Sequence, residues 1–242
     1  MAPRRPTRRS DRAIALFSGG LDSATVLYWA AARGLAPHAL IFDYGQRHRR
    51  ELRSALAICA AAGVPHDVVR LSLPWGGSSL LGRRQPLPQA GSVSEIGRTV
   101  PSTYVPARNT VFLAFGLSCA EALGASAVLI GANALDYSGY PDCRPDYLAA
   151  MAKVYYLGTV AGRRGKPIRI AAPLLHKTKA GIIRMGTTLG VPYELTWSCY
   201  RGGQRPCGVC ESCLLRAKGF AEAGRPDPLI NHRQPKGHTE SR

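Results

Sequence analysis

Short apolar runs alternate with longer amphipathic stretches through most of the chain. Ala13-Ile-Ala-Leu-Phe17 and Ala39-Leu-Ile-Phe42 have the density expected of strands buried on both faces, and Val68 to Leu71 reads as a third strand. Between them, Thr25 to Ala32 and Arg49 to Ala62 read as helices, with Gly34 and Gly63 placed to close them. The pattern resumes with a helix over Thr110 to Leu123, a strand over Ala127 to Ile130 and a helix over Tyr147 to Ala161. A strand over Ile168 to Ala171 and a helix over Lys179 to Leu189 complete it. Strands and helices in this alternation predict a Rossmann-like α/β fold, a parallel sheet with helices on both faces.

The segments that break the rhythm are as informative. Residues 74–106 are rich in Gly, Ser, Pro and Arg without a period, and a loop of that length in a compact domain is usually functional. From Thr196 the composition turns to Cys, Gly and Arg, marking a metal-held appendage. The expected organisation is a basic tail at 1–12, an α/β domain at 13–195, a zinc-binding segment at 196–230 and a second tail at 231–242. Val111 to Ile130 is weakly polar but holds Glu121, Ser118, Ser126, Gly116 and Gly124, so it reads as helix, turn and strand instead of a membrane span. No leader-like pattern precedes Ala13, so the expected location is cytoplasmic.

A net charge of +17 invites a nucleic-acid reading. The excess is carried by 26 Arg against 6 Lys, which points to a compositional bias. Arg4, Arg5, Arg8, Arg9 and Arg12 face only Asp11 in the opening segment, the pattern of a solvated arm. No direct nucleic-acid partner is expected.

Phe17-Ser-Gly-Gly-Leu-Asp-Ser23 lies between the first strand and the first helix, where open α/β sheets place ligands. Two glycines let the backbone approach an anion, the helix N-terminus near Leu21 offers N–H donors, and Ser18 and Ser23 add hydroxyls. Together these favour a polyphosphate. Neither the Walker pattern nor the dinucleotide glycine pattern occurs. The loop instead resembles the PP-loop of ATP pyrophosphatases, which cleave between the α and β phosphates.

Cys199-x7-Cys207-x2-Cys210-x2-Cys213 gathers four of the seven cysteines, enough thiolates to close a tetrahedral structural zinc site. An iron–sulfur cluster is the rival, since Cys-x2-Cys-x2-Cys opens the bacterial ferredoxin run. Here the fourth thiol lies upstream at Cys199 and no fourth Cys follows Cys213, so zinc is the expectation. Cys59 and Cys119 sit on apolar helix stretches as small buried thiols, while Cys143 falls in a loop that can face a pocket.

With Phe42-Asp-Tyr-Gly-Gln-Arg-His48, Val105-Pro-Ala-Arg-Asn109, Ile130-Gly-Ala-Asn133, Asp136-Tyr-Ser-Gly-Tyr-Pro-Asp-Cys-Arg144 and Thr196-Trp-Ser-Cys199, these motifs resemble the QueC family of 7-cyano-7-deazaguanine synthases. The resemblance runs from Ala13 to Asp227; Ala107 stands where Gly is expected, and Gly181 where Glu is expected. It implies an adenine nucleotide alpha hydrolase-like fold and an ATP-dependent conversion of 7-carboxy-7-deazaguanine and ammonia to the nitrile. Magnesium would accompany ATP, and a homodimer is implied. By resemblance, Phe17, Ser18, Gly19, Gly20, Leu21, Asp22, Ser23, Ala24, Thr25, Val26 and Leu27 form the nucleotide cradle, with Asp43 and Gln46 flanking adenine or ribose. Asp22, Ser23, Asp142 and either Lys177 or Lys179 are the catalytic candidates. Asp136, Tyr140, Asp142 and Arg144 are expected at the deazaguanine, whose donor edge suits a carboxylate and whose oxygen suits Arg. Arg108 and Asn109 either contact a ligand or cap the following helix. Two rivals stand beside this reading: a PP-loop tRNA-modifying enzyme of thiolase or lysidine type, and a non-enzymatic zinc-knuckle nucleic-acid binder.

Overall fold

The computed structural model describes residues 11–81, 86–88, 100–133 and 139–230. Five strands form one parallel sheet: β1 (Arg12–Phe17), β2 (Ala36–Asp43), β3 (His66–Arg70), β4 (Ala127–Leu129) and β5 (Arg169–Ala171), in the spatial order β3-β2-β1-β4-β5. All four pairings are parallel, and the register sets Ala15 opposite both Ala39 and Leu129. Order reverses at β1, so a crevice opens at the carboxyl ends of β1 and β4.

The continuous apolar runs are explained by two cores, one on each face. Ala13, Ala15 and Phe17 of β1 and Ile41 of β2 pack with α1 (Leu21–Ala32) and α2 (Arg50–Ala62) on one face. Ile14 of β1, Leu40 and Phe42 of β2 and Val128 of β4 point to the other, against α3 (Arg108–Leu123) and α4 (Pro145–Gly158). Period-two alternation thus survives inside runs that are apolar throughout, because neither face meets water. The Rossmann-like expectation holds.

The helix expected over Tyr147 to Ala161 is divided. Thr159 turns extended (φ −125°, ψ 152°), and its hydroxyl donates to the Tyr155 carbonyl at 2.7 Å and accepts from the Gly162 N–H at 3.0 Å. It closes α4 and caps a short helix, α5 (Val160–Arg163).

Beyond α6 (Lys179–Thr188), the cysteine-rich segment continues into α7 (Glu211–Glu222), an element the composition did not suggest. Phe220 of α7 joins the α1 core and meets the Tyr193 ring edge-on at 5.5 Å. Arg216 pairs with Asp227 at 2.7 Å and donates to Thr196 Oγ1 and the Tyr193 carbonyl, all buried. Four of the five guanidinium N–H groups are thus answered within the segment and its root, so this desolvated pair is well partnered.

Ala107, just before α3, has φ +53°, the one non-glycine residue in the left-handed region among those described. The departure from an expected Gly is therefore a strained position. Ala107→Gly is expected to raise stability by about 0.5–1 kcal/mol, the strain relieved being partly offset by a freer unfolded chain. Denaturant unfolding reads this directly, and an unchanged or lower midpoint would refute it.

Among the described residues, no helix is long and apolar enough to cross a membrane.

Candidate active site

The turn from β1 into α1 is shaped by its glycines. Gly19 has φ +78°, and a Cβ there would fall 2.5 Å from the Ala55 nitrogen and 2.6 Å from the Glu51 carbonyl oxygen of α2. Only a residue without a side chain lets the loop lie on α2 this closely. Ser18 Oγ and Ser23 Oγ stand 3.1 Å apart, and Ser18 Oγ accepts from the Gly20 N–H at 3.3 Å. No side chain caps α1, whose N-terminus faces the crevice with its positive dipole end. In the chain after β4, a Cβ added at Gly131 would lie 3.4 Å from the Ser23 nitrogen.

The crevice is a cavity of about 310 Å³, a size suited to small ligands. Phe17, Ser18, Gly20, Leu21, Asp22 and Ser23 line it. Gly19, Ala24, Thr25, Val26 and Leu27 are buried beneath as the loop's support. Asp22 Oδ2 accepts from Lys179 Nζ at 2.7 Å and from Asn133 Nδ2 at 3.2 Å. Asp22 Oδ1 is buried without a partner. An orphaned carboxylate oxygen next to a bare helix N-terminus fits a divalent cation carried in with a polyphosphate.

Of the two lysines, Lys179 lines the cavity, and Lys177 does not. Lys179 opens α6 behind the Thr178 cap, whose hydroxyl accepts from the Gly181 N–H. Gly181 occupies the position where Glu would complete a capping box.

The far wall belongs to α3. Arg108, Asn109 and Phe112 line the cavity with Tyr44 and Tyr140. Arg108 Nη1 donates to the Tyr44 hydroxyl at 3.3 Å, and Arg108 Nε is buried without a partner. Burial opposes the Arg108 charge, but Tyr44, Asp142 and Cys143 outweigh it and hold the guanidinium above its ordinary value. Burial raises the Tyr44 hydroxyl as well, against the pull of Arg108. Asp142 lies behind this wall, its Oδ2 accepting from the Asn109 N–H at 2.9 Å and its Oδ1 unpartnered. Asn109 Nδ2 approaches Cys143 Sγ at 3.1 Å, so Cys143 is a wall residue.

Three expected ligand residues sit elsewhere or are otherwise engaged. Asp43 is off the cavity lining and pairs with Arg49 at 3.5 Å. Gln46 lines the cavity but holds its own turn, accepting from the Tyr44 N–H and donating to the Phe42 carbonyl. Arg144 is exposed and pairs with Asp146 at 3.3 Å. Asp136 lies outside the described residues.

The sequence reading assigned no role to other lining residues, chiefly Glu51, His48, Thr103, Trp197 and Arg216. Glu51 and His48 belong to the run after β2, and their position at the carboxyl edge of a parallel strand was the available signal.

The four cysteines converge. Sγ atoms of Cys199, Cys207, Cys210 and Cys213 lie within 4.8 Å of one another, and three of the four residues are buried. Tetrahedral coordination at ~2.3 Å needs sulfurs about 3.8 Å apart, so small shifts close the site. The group is tied to the 18–23 loop through Trp197. Its N–H donates to the Gly19 carbonyl at 3.0 Å, its indole Nε1 donates to the Cys199 carbonyl at 2.9 Å, and Arg50 stacks on its ring at 4.8 Å.

The match to a family model decides the grouping: residues 12–224 fit the one described as "Queuosine biosynthesis protein QueC". The chain belongs to the QueC family. A 7-cyano-7-deazaguanine synthase of Nostoc punctiforme is 56% identical over 221 residues, covering 90% of this chain and 99% of that protein. Its counterpart in Thermoplasma acidophilum is 51% identical over 224 residues, with 93% of each chain covered. Among solved structures, NMN synthetase from Francisella tularensis aligns with a TM-score of 0.48 at 16% identity, over 90% of this chain and 78% of that one. For a QueC chain, the motifs after β1, after β2 and before α3 are thus the walls of one crevice.

Proposed function

We propose that this QueC chain is an ATP-dependent carbon–nitrogen ligase that makes 7-cyano-7-deazaguanine, a step of queuosine biosynthesis. The inputs are 7-carboxy-7-deazaguanine, ammonia and two ATP; the products include two AMP and two diphosphates. The observation that supports this most is the Asp22–Lys179 pair set against the uncapped N-terminus of α1 in a cavity whose opposite wall carries Arg108.

A carboxylate resists attack because oxide is a poor leaving group. Adenylation makes its oxygen depart as AMP, and ammonia then gives the amide. A second adenylation, on the amide oxygen, lets AMP leave again as the nitrile forms. Both activations ask for fixed donors at one diphosphate, supplied here by the 18–23 loop and Lys179. Mg²⁺, when bound, neutralises phosphate charge, and Asp22 is the residue placed to hold it. Arg108, Asn109 and Tyr140 would receive the deazapurine, with Asp142 positioning Asn109 from behind. Zinc held by the four cysteines is structural in this reading, since no coordination position remains open. The homodimer is part of the proposal, supported by apolar exposure at Val154, Tyr156, Leu157 and Val160.

The test is direct. Incubation with ATP, Mg²⁺, ammonium and the carboxylate base is expected to yield AMP and the nitrile in a 2:1 ratio. ATP cleavage that appears only on adding tRNA would overturn the assignment in favour of a tRNA-modifying enzyme. Lys179→Met is expected to lower kcat by about 10²–10³-fold, the scale of losing one donor to developing charge. Retention of wild-type turnover would remove Lys179 from the chemistry.

A further inference from the structure

We propose that Glu51 is the base of this site, taking the proton from nitrogen as ammonia becomes amide and again as the amide becomes nitrile; the assignment rests on the ligase reading above. Both steps shed protons from nitrogen. In the first, ammonia attacks the acyl adenylate, the carbon–oxygen bond to AMP breaks, and one N–H proton must leave for the amide to be neutral. In the second, the amide oxygen takes AMP from ATP as diphosphate leaves, the resulting cation sheds one N–H proton, and loss of the remaining N–H proton forms the third C–N bond as AMP departs with the oxygen. No oxidant or reductant is required. What is required is a group beside the activated carbonyl that is unprotonated at working pH and basic enough to accept.

Glu51 meets this description by position. It stands in the first turn of α2 and lines the cavity, and its own backbone carbonyl abuts Gly19 of the nucleotide loop. Each of the other acidic candidates already holds a partner through one carboxylate oxygen. Asp22 binds Lys179 and Asn133, Asp43 faces Arg49, and Asp142 caps the Asn109 N–H. The Glu51 carboxylate has no ion pair among the described residues.

Its surroundings suit the task. Arg108 reaches it from α3 and Tyr44 from the turn after β2, while Arg50 beside it on α2 is drawn off over the Trp197 ring. His48 shares the cavity, held below its ordinary value by burial and so an unfavourable cation there. Asp22, Lys179, Arg216 and Arg47 complete the charged lining: the first two pair with each other, Arg216 pairs with Asp227, and Arg47 Nη1 donates to the Ser79 carbonyl at 3.4 Å. Burial lifts the Glu51 carboxyl to about 7, against the pull of Arg108. A base there is half ionised near neutrality and strong enough to accept.

The experiment separates activation from proton removal. Carboxylate-dependent exchange of diphosphate into ATP reads the first adenylation, and the amide and nitrile read the later steps. Glu51→Gln is expected to keep exchange within about threefold of wild type while amide and nitrile formation fall by about 10²–10³-fold. Glu51→Asp should recover part of the loss. The wild-type rate should fall below pH 7 as Glu51 protonates, and this acid limb should be absent from the Gln variant.

Glu51→Gln should also melt no lower than wild type at pH 8. An ordinary carboxyl ionises lower in the unfolded chain, so the folded chain holds the extra proton between the two values. Stability tied to this group therefore declines as pH rises through that window, and Gln removes the decline. Nitrile formation by Glu51→Gln within threefold of wild type overturns the assignment, as does exchange lost in parallel with nitrile. A wild-type chain showing no exchange overturns both this assignment and the ligase reading.

Discussion

Gly19→Ala is expected to lower kcat/KM for ATP by about 100-fold or more, a misplacement of the loop by roughly 1 Å being enough for that loss. Two independent constraints meet at this residue. Its φ of +78° costs an alanine ~1–2 kcal/mol. Its added Cβ would strike the Ala55 nitrogen and the Glu51 carbonyl of α2, which are backbone atoms without a rotamer to yield. The loop must then lift from α2, taking the Ser18 and Gly20 donors away from the position set by α1. A lowered melting temperature together with a raised KM for ATP is the expected signature. Normal kinetics in a folded Gly19→Ala chain would show that the loop's contact with α2 does not position the nucleotide.

Removing the metal is expected to have the second large effect, and to reach the active site. The four thiols hold the segment from which Trp197 projects, and Trp197 in turn donates to the Gly19 carbonyl. Structural zinc sites of this kind are worth ~10–16 kcal/mol in isolated peptides at neutral pH. The sheet has two hydrophobic cores of its own, so the expected loss is local: a slackened knuckle, an unsupported Trp197 and an unpinned loop. Cys210→Ser, or wild type stripped by a strong chelator, should lose AMP formation by at least about 100-fold while keeping most helical circular dichroism. Zinc restored to the stripped protein should bring activity back. Full turnover without metal would refute the link, and a brown protein absorbing in the visible would replace zinc by an iron–sulfur cluster.

Parts of the site were legible because their chemistry is local. The 18–23 turn announces itself through adjacent glycines between a strand and a helix, and the cysteines through their spacing. Lys179 and Lys177 could not be separated, since both flank the same helix start and only packing sends Lys179 to Asp22. Arg144 looked suited to a base edge, yet its position just before α4 turns it toward Asp146 and solvent. Gln46 carries a ligand-like amide that is consumed by the turn it holds. Glu51 reads as an ordinary helix-start acid in sequence, and its difference arises from the wall opposite, contributed by α3 more than fifty residues away.

The +17 charge had little part in any of this: among the described residues, Arg47, Arg108 and Arg216 are the arginines on the crevice walls. What the sequence determined alone was the class of fold, the glycine turn between strand and helix, and a group of four thiols that could hold a metal. Each depends on residues close in the chain, through buried-strand patterning, glycine conformation and ligand spacing. What only the tertiary structure decided was which polar groups share one desolvated crevice. Strand order opens that crevice between β1 and β4, and long-range packing brings Lys179 and not Lys177 to its wall, places Asp142 behind Asn109 and ties the four-cysteine segment to Gly19. A side chain's protonation and reach are set by neighbours in space, and those neighbours come from stretches of the chain far apart in sequence.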